Sequence, residues 1–399
     1  MTNNKFRKYF PIFKSNPELV YFDSSATTLK PQIMIDSLLN FYTNNGMNIR
    51  SLNKKTVQNL KDIQKTRKKI ANLINARTEK EIIFTKGTTE SLNMIAQMLY
   101  DLIQEGDEIV TSVLEHHSCL LPLMKLAQVK KAKLVFIDLD QNYKINISNF
   151  YRSLSYKTKI IVLSHISNTF GYETPIKEIT EIAHKRNIIL ILDAAQSVGH
   201  IPIDVQELDI DFMAFSAHKM YGPFGIGILF GKKNLLQKYS SPHVGGGNVQ
   251  EVTSENFIFS DLPNKFEPGT LNISGIIAFG KSLELLNKIG IRNIQKHNQS
   301  LIIKIQKKLQ SMTKIKILNP FSYNTILFNF EKIHAHDIET FLQKNNIYVR
   351  TGRYCAHLIM DKIKKTNAVR ISTGIYNNEM DIEILIHTLQ KIKDVYSIL

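Results

Sequence analysis

Short runs rich in Val, Ile and Phe alternate with longer stretches of helical period through the first part of the chain. The runs are EIIF at 81–84, EIVT at 108–111, KLVFI at 133–137, KIIVLS at 159–164, NIILILD at 187–193, DFMAF at 211–215 and IGILF at 226–230. Each has the length and composition of a buried strand, so seven strands are predicted within one segment. Between them, Leu92, Ile95, Ala96, Leu99 and Ile103 recur at three and four residues, the spacing of one buried helical face. Strands that alternate with helices predict an α/β unit, a large mainly parallel seven-stranded sheet with helices on both faces. After the Gly- and Pro-containing stretch from Pro242 to Gly269 the texture changes. One long helical region is expected from about Ile276 to Met312, then short strands around 324–330 and 347–350. This second texture predicts a smaller α+β carboxy-terminal domain, its boundary falling between 260 and 275.

Composition narrows the class. In 399 residues, hydrophobic positions make up 43% and charged ones 22%, an ordinary globular balance that excludes disorder, collagen-like repeats and coiled coil. Cys119 and Cys355 are the only cysteines, too few for a disulfide framework; they fit a reducing compartment, and the cytoplasm is expected. The start, MTNNKFRKYFPIF, has basic residues without a signal-length apolar run behind them, and no later segment reaches membrane-span length. The net charge of +16 is spread along the chain among Ile and Asn, so nucleic acid is not expected as a partner.

Ligands of open parallel sheets collect at the carboxyl ends of the strands, where the polar residues after each apolar run should converge. EIIF leads into Thr85-Lys86-Gly87-Thr88-Thr89-Glu90, a glycine turn feeding a helix that could hold a phosphate. EIVT leads to Glu115-His116-His117-Ser118, and KIIVLS to His165, Ser167 and Asn168. IILIL ends in Asp193-Ala194-Ala195-Gln196, and DFMAF in Ser216-Ala217-His218-Lys219. Singly, an Asp of this kind usually caps a helix and a Lys usually lies in a solvated loop. Together they meet one chemical requirement: a lysine for an aldehyde, a carboxylate for a ring nitrogen, a stacking ring and an anion site, which is what pyridoxal phosphate needs. Lys219, Asp193, His116 and the 87–89 turn supply these roles. No metal site is expected.

The strings DSSATT at 23–28, GTTE at 87–90, EHHS at 115–118, SNTFG at 167–171, DAAQSVGH at 193–200, SAHKMYGPFGIG at 216–227, FEPGT at 266–270 and RTGRYCA at 350–356 resemble the class V aminotransferase family of pyridoxal-phosphate fold type I. Within it they are similar to the SufS-type cysteine desulfurases, a group that includes selenocysteine lyases. The resemblance implies three parts: an amino-terminal segment, 1–20, packing with the small domain; a large cofactor-binding domain, 21–265; and a small domain, 266–399, carrying a nucleophilic cysteine loop. It implies a homodimer that converts L-cysteine, or L-selenocysteine, to L-alanine. The sulfur would be held on Cys355 as a persulfide for a small Suf-type acceptor protein and iron–sulfur cluster assembly.

Carried over residue by residue, Lys219 matches the Schiff-base lysine, Asp193 the partner of the pyridine nitrogen, His116 the stacking ring and proton relay, and Gln196 the contact to the ring hydroxyl. Thr88, Thr89, Ser216 and His218 fall at cofactor-binding positions, and Thr270 at the one donated by the other subunit. Asn168 lies beside cofactor and substrate. Arg370, with Arg350 nearby, matches the grip on the substrate carboxylate, a task suited to the two parallel donors of a guanidinium. Cys355 follows a polar, glycine-containing loop, and neighbouring cations such as Arg350, Arg353 or a histidine are expected to raise its thiolate fraction. Cys119, in an apolar setting, is expected in the core.

The chain departs from the family pattern where His-Arg-Gly-x-His is usual and Ile49-Arg50-Ser51-Leu52-Asn53 stands instead. Tyr354 replaces an imidazole beside the nucleophile, and Cys355-Ala356-His357-Leu358 lacks the usual proline. The contacts of the Gly245–Gly247 stretch are not legible. A selenocysteine lyase, another class V enzyme working without Cys355, and an inactive sulfur-transfer scaffold stay open as alternative readings.

Overall fold

The computed structural model describes residues 4–320 and 322–396; residues 1–3 of the expected amino-terminal segment and 321 and 397–399 of the expected small domain lie outside the described residues. The strands in chain order begin with β1 (Val20–Tyr21). They continue with β2 (Ile82–Thr85), β3 (Glu108–Thr111), β4 (Lys133–Phe136), β5 (Thr158–Ser164), β6 (Ile189–Asp193), β7 (Phe212–Ser216) and β8 (Gly227–Gly231). All seven predicted runs, now β2 to β8, form one sheet in the order β2-β8-β7-β6-β5-β3-β4. It is parallel except at β8, which runs antiparallel to both β2 and β7.

Successive strand residues point to opposite faces, and the burial pattern follows that alternation. Phe84, Val110, Ile161, Leu190 and Met213 join one apolar cluster with Ile70 and Phe279. Their alternates Ile83, Ile109, Ile160, Ile191 and Phe212 join another with Ile95 and Leu123. Helices therefore cover both faces: Lys54–Leu73 and Ile273–Ile289 on the first, Thr88–Met98 and His117–Lys130 on the second. Burial on both faces is why these strands read as continuous apolar runs rather than alternating ones.

A hairpin of β9 (Val249–Val252) and β10 (Phe257–Phe259) projects next. Beyond it, β11 (Ile315–Ile317), β12 (Thr325–Phe330), β13 (Ile347–Tyr348), β14 (Arg350–Gly352) and β15 (Ala368–Ser372) complete the set. The order β11-β12-β15-β14 forms a four-stranded antiparallel sheet with its own apolar cluster. The predicted strand at 347–350 is two elements, since β13 pairs in parallel with β1 while β14 pairs with β15. The long helical region is also two, Ile273–Ile289 and Ile291–Gln310, because Gly290 turns the backbone to φ 84°. The helical period from Leu92 stops earlier than expected: the helix ends at Met98, and Ile103 lies past a separate turn, Tyr100–Leu102. Near the amino terminus, Asn4 Nδ2 donates to the carbonyls of Ile375 and Asn377, and Arg7 pairs with Asp381 at 2.9 Å. Among the described residues no helix is long and apolar enough to cross a membrane.

Candidate active site

The carboxyl ends of β2, β5, β6 and β7 open on one cavity of about 260 Å³. Thr88, Thr89, His116, Asn168, Asp193, Gln196, Ser216, His218 and Lys219 all line it, and from the small sheet and its loop come Arg350, Tyr354, Cys355 and Arg370. Every site residue read from the sequence is thus gathered there except Thr270, which is exposed and lines a different hollow with Lys86 and His243. Of the polar residues after β5, Asn168 reaches the cavity, whereas His165 and Ser167 do not.

Local geometry explains the convergence. Gly227 lets β8 pass close to the turn after β2, since a side-chain Cβ there would lie 2.3 Å from Gly87. That approach brings Ser216 to Thr88: the Thr88 N–H donates to Ser216 Oγ at 2.8 Å, and the two hydroxyls lie 2.6 Å apart. Gly87, the N-cap residue, has no side chain to cap the helix Thr88–Met98, so apart from the Thr88 amide held by Ser216 its amino end turns the positive end of its dipole toward these hydroxyls. His218 Nδ1 faces Thr27 Oγ1 at 3.2 Å, and Lys30 Nζ donates to the His218 carbonyl at 2.9 Å. Burial pulls Lys30 down to about 7.

Charge is distributed by burial. Asp193 ends β6 and accepts the Ala195 N–H at 2.9 Å; burial raises its pKa, opposed by the Lys219 ammonium. Burial lowers the Lys219 pKa, so the amine is more available than in water. Burial, then the Lys219 charge, takes His116 down to about 3, leaving a neutral ring whose Nδ1 accepts the Ser118 N–H at 3.1 Å. Beneath the cavity floor, Glu115 accepts from Ser112 Oγ at 2.7 Å and from the Ser164 hydroxyl and amide at 2.6 and 2.7 Å. Burial nevertheless lifts it to about 7.

On the opposite wall, Arg370 is 3% exposed. Its Nη1 donates to the Asn168 carbonyl at 3.0 Å and its Nη2 pairs with Asp23 at 2.9 Å. Arg350 forms no ion pair among the described residues. Cys355 is exposed at the cavity, whereas Cys119 is buried, as the sequence predicted, and burial pushes its thiol up. Arg353 pairs with Asp361 and does not line the cavity, whose cationic side chains besides Lys219 are Arg350 and Arg370.

The donor set fits pyridoxal phosphate: an amine and a carboxylate share one cavity with a neutral ring, and a helix amino end with two hydroxyls offers an anion site. Lys219, Asp193, His116, Thr88, Ser216 and His218 would hold it. Sequence reasoning assigned no role to Asp23, Lys30 or Tyr354; the DSSATT string carried the first, but the Arg370 pairing spans the whole chain and has no local signal. The Gly245–Gly247 stretch proves to wrap Arg50, whose Nη2 donates to the carbonyls of Gly246 and Gly269 at 2.9 Å each. Gly247 has φ 97°, and a Cβ there would lie 2.3 Å from that guanidinium.

His165, whose Nε2 lies 3.8 Å from the Glu173 carboxylate, gives a test of the burial electrostatics. Its Nδ1 is buried without a hydrogen-bond partner, and burial lowers the ring to about 4. The folded state then refuses a proton that the unfolded chain binds below about 6.5, so the contribution is full above that value and is lost as pH falls through about 4. Between these values the wild type is expected to lose stability relative to His165→Leu by about 1.4 kcal/mol per pH unit. Parallel urea-unfolding midpoints for the two proteins across this range would remove His165 as the cause.

The family description "Aminotransferase class-V" matches residues 20–385. The chain is 37% identical to a probable cysteine desulfurase of Halalkalibacterium halodurans, over 99% of each sequence. It is 39% identical to one of Borreliella burgdorferi, over 97% of this chain and 95% of that one. Among solved structures, the cysteine desulfurase CsdA of Escherichia coli superposes with a TM-score of 0.93 at 33% identity, covering 99% of both chains.

Proposed function

Because the chain belongs to the class V aminotransferase family, as a pyridoxal-phosphate-dependent cysteine desulfurase, we propose that Cys355 is the nucleophile that takes the sulfur from L-cysteine. The observation that carries this reading is the exposed thiol of Cys355 on the same cavity as Lys219 and Asp193. When bound, pyridoxal phosphate supplies an electron sink for the substrate carbon. Asp193 holds its ring nitrogen protonated, and the hydroxyls of Thr88 and Ser216 with the neutral His218 receive its phosphate. Arg350 and Arg370 bind the substrate carboxylate, and the Lys219 amine moves the proton at Cα. The Cys355 thiolate then attacks the substrate sulfur. A sulfur–sulfur bond forms and the carbon–sulfur bond breaks, its electron pair staying on carbon, which takes up a proton to give L-alanine; His116 is placed to relay it.

The persulfide on Cys355 is passed to a small sulfur-acceptor protein that feeds iron–sulfur cluster assembly in the cytoplasm, a reading supported by the exposure of Cys355 and by two unpaired cysteines. The enzyme acts as a homodimer in which Thr270 serves the partner's cofactor. Its exposure away from the cavity of its own chain and the exposed apolar side chains of Leu39, Tyr42, Leu52 and Phe224 support that arrangement. The reading divides the molecule into a large cofactor-binding domain, 21–265, and a small domain, 266–399, whose first helix, Ile273–Ile289, packs on the large sheet, and Asn4 and Arg7 of the preceding segment bond to the small domain.

The test compares purified wild type with Cys355→Ala at matched pyridoxal phosphate content, measuring alanine formed from L-cysteine under reductant. The variant is expected to keep its cofactor and lose at least about 100-fold in rate, within the range of a lost catalytic group. Equal rates would hand the site to a lyase or transaminase that does not use Cys355.

A further inference from the structure

We propose that Tyr354 is a positioning residue that locks the Cys355 backbone to the wall carrying Arg370; this rests on the reading of Cys355 as nucleophile. Tyr354 and Cys355 are consecutive non-glycine residues with φ 53° each, a left-handed conformation that side chains rarely adopt twice in a row. Such a turn persists only when its surroundings over-determine it. Burial of the ring and five hydrogen bonds do so. The Tyr354 ring is 6% exposed, and its hydroxyl donates to the Ala368 carbonyl in β15 and, at 3.4 Å, to the Arg350 carbonyl in β14. Asn168 Nδ2 donates to the Tyr354 carbonyl at 2.9 Å. The His117 N–H donates to the Cys355 carbonyl at 2.8 Å, and the Ala356 N–H to the Arg353 carbonyl at 2.9 Å.

These contacts close a ring. The Arg370 guanidinium lies 5.0 Å from the centroid of the Tyr354 ring, Arg370 donates to the Asn168 carbonyl, and Asn168 donates back to Tyr354. The residue that would grip the substrate carboxylate and the residue that precedes the thiol are therefore held by one another. An imidazole at 354 would have a shorter reach toward β15 than the phenol, whose hydroxyl bridges two strand carbonyls. Tyr354 thus does the ordering that the missing proline after Cys355 and Ala356 would otherwise assist.

The His117 amide reports on this directly, because its hydrogen-bond partner is the Cys355 carbonyl. In Tyr354→Phe of the holoenzyme, hydrogen exchange at His117 is expected to rise by up to about tenfold, the weight of one net hydrogen bond, with amides of β6 unchanged. The rate constant kcat should fall by a similar factor while KM for L-cysteine holds, since the ring against Arg370 remains. Tyr354→Leu removes the ring as well, and KM should then rise too. Wild-type exchange at His117 in both variants overturns the proposal, as does acceleration spread evenly over the whole protein, which is loss of stability alone. Failure here is separable from failure of the Cys355 reading: exchange needs no turnover, whereas that reading fails when alanine formation survives Cys355→Ala.

Discussion

Replacing Lys219 by alanine is expected to lower alanine formation from L-cysteine by at least about 10³-fold, the largest effect on activity of any single change in the cavity. Lys219 ends the short turn Ala217–Lys219 after β7, so its backbone is fixed by the large sheet. His200 Nε2 lies 2.8 Å from the Lys219 carbonyl, a contact that truncating the side chain leaves in place. The Nζ itself makes no hydrogen bond among the described residues, in contrast to Lys30, which makes two nearby. The backbone of the turn should therefore stay in place while chemistry is lost.

Burial lowers the Lys219 pKa and Asp193 pulls it the other way, a balance that leaves an amine able to bind an aldehyde and to carry a proton. Lys219→Arg is the discriminating control. It keeps a cation beside Asp193 but offers no amine, and it should lose as much as Lys219→Ala. Activity in either variant above about a tenth of wild type would place the proton transfer on another group, with His116 in the same cavity an alternative.

Much of this was readable in the sequence because it is local. Apolar runs gave all seven strands of the large sheet, for strands buried on both faces need no alternation to be seen. The polar residues that follow them fell into one cavity because parallel strands end on the same side. What escaped depends on contacts far apart in sequence. Asp23 meets Arg370 across 347 residues, and Arg50 meets Gly246 and Gly269 across 196 and 219. Glu115 reads as one polar residue in EHHS, yet besides the local Ser112 it is held by the hydroxyl and amide of Ser164 on a neighbouring strand. The break at Gly290 was hidden for another reason: the apolar period continues through Ile289 and Ile294, and only the left-handed backbone shows that the helix stops.

Arg67 and Glu267 carry the largest expected effect on stability, and neither had a legible role. Their side chains are 7% and 3% exposed and pair in parallel, Nη1 to Oε1 at 2.7 Å and Nη2 to Oε2 at 2.8 Å. Arg67 also donates to the Ile82 carbonyl and lies 4.4 Å from the centroid of the Phe84 ring, while the Phe84 N–H donates to Glu267 Oε1 at 2.7 Å. The pair thus ties the helix Lys54–Leu73, the edge strand β2 and the 266–270 segment into one polar knot inside apolar surroundings. Arg67→Met leaves the Glu267 carboxylate buried without its cation, and a loss of about 3–5 kcal/mol is expected in urea unfolding at neutral pH. Arg67→Met combined with Glu267→Leu removes both charges, and most of that loss should return, because a buried pair costs nearly as much in desolvation as it gains in attraction. A single-variant loss below about 1 kcal/mol would mean that water reaches the carboxylate. The knot also fixes Glu267 three residues before Thr270; on the proposed reading that Thr270 serves the cofactor of a partner subunit, Arg67→Met should weaken pyridoxal phosphate retention, whereas the double variant, which restores stability without the tether, should recover less of it.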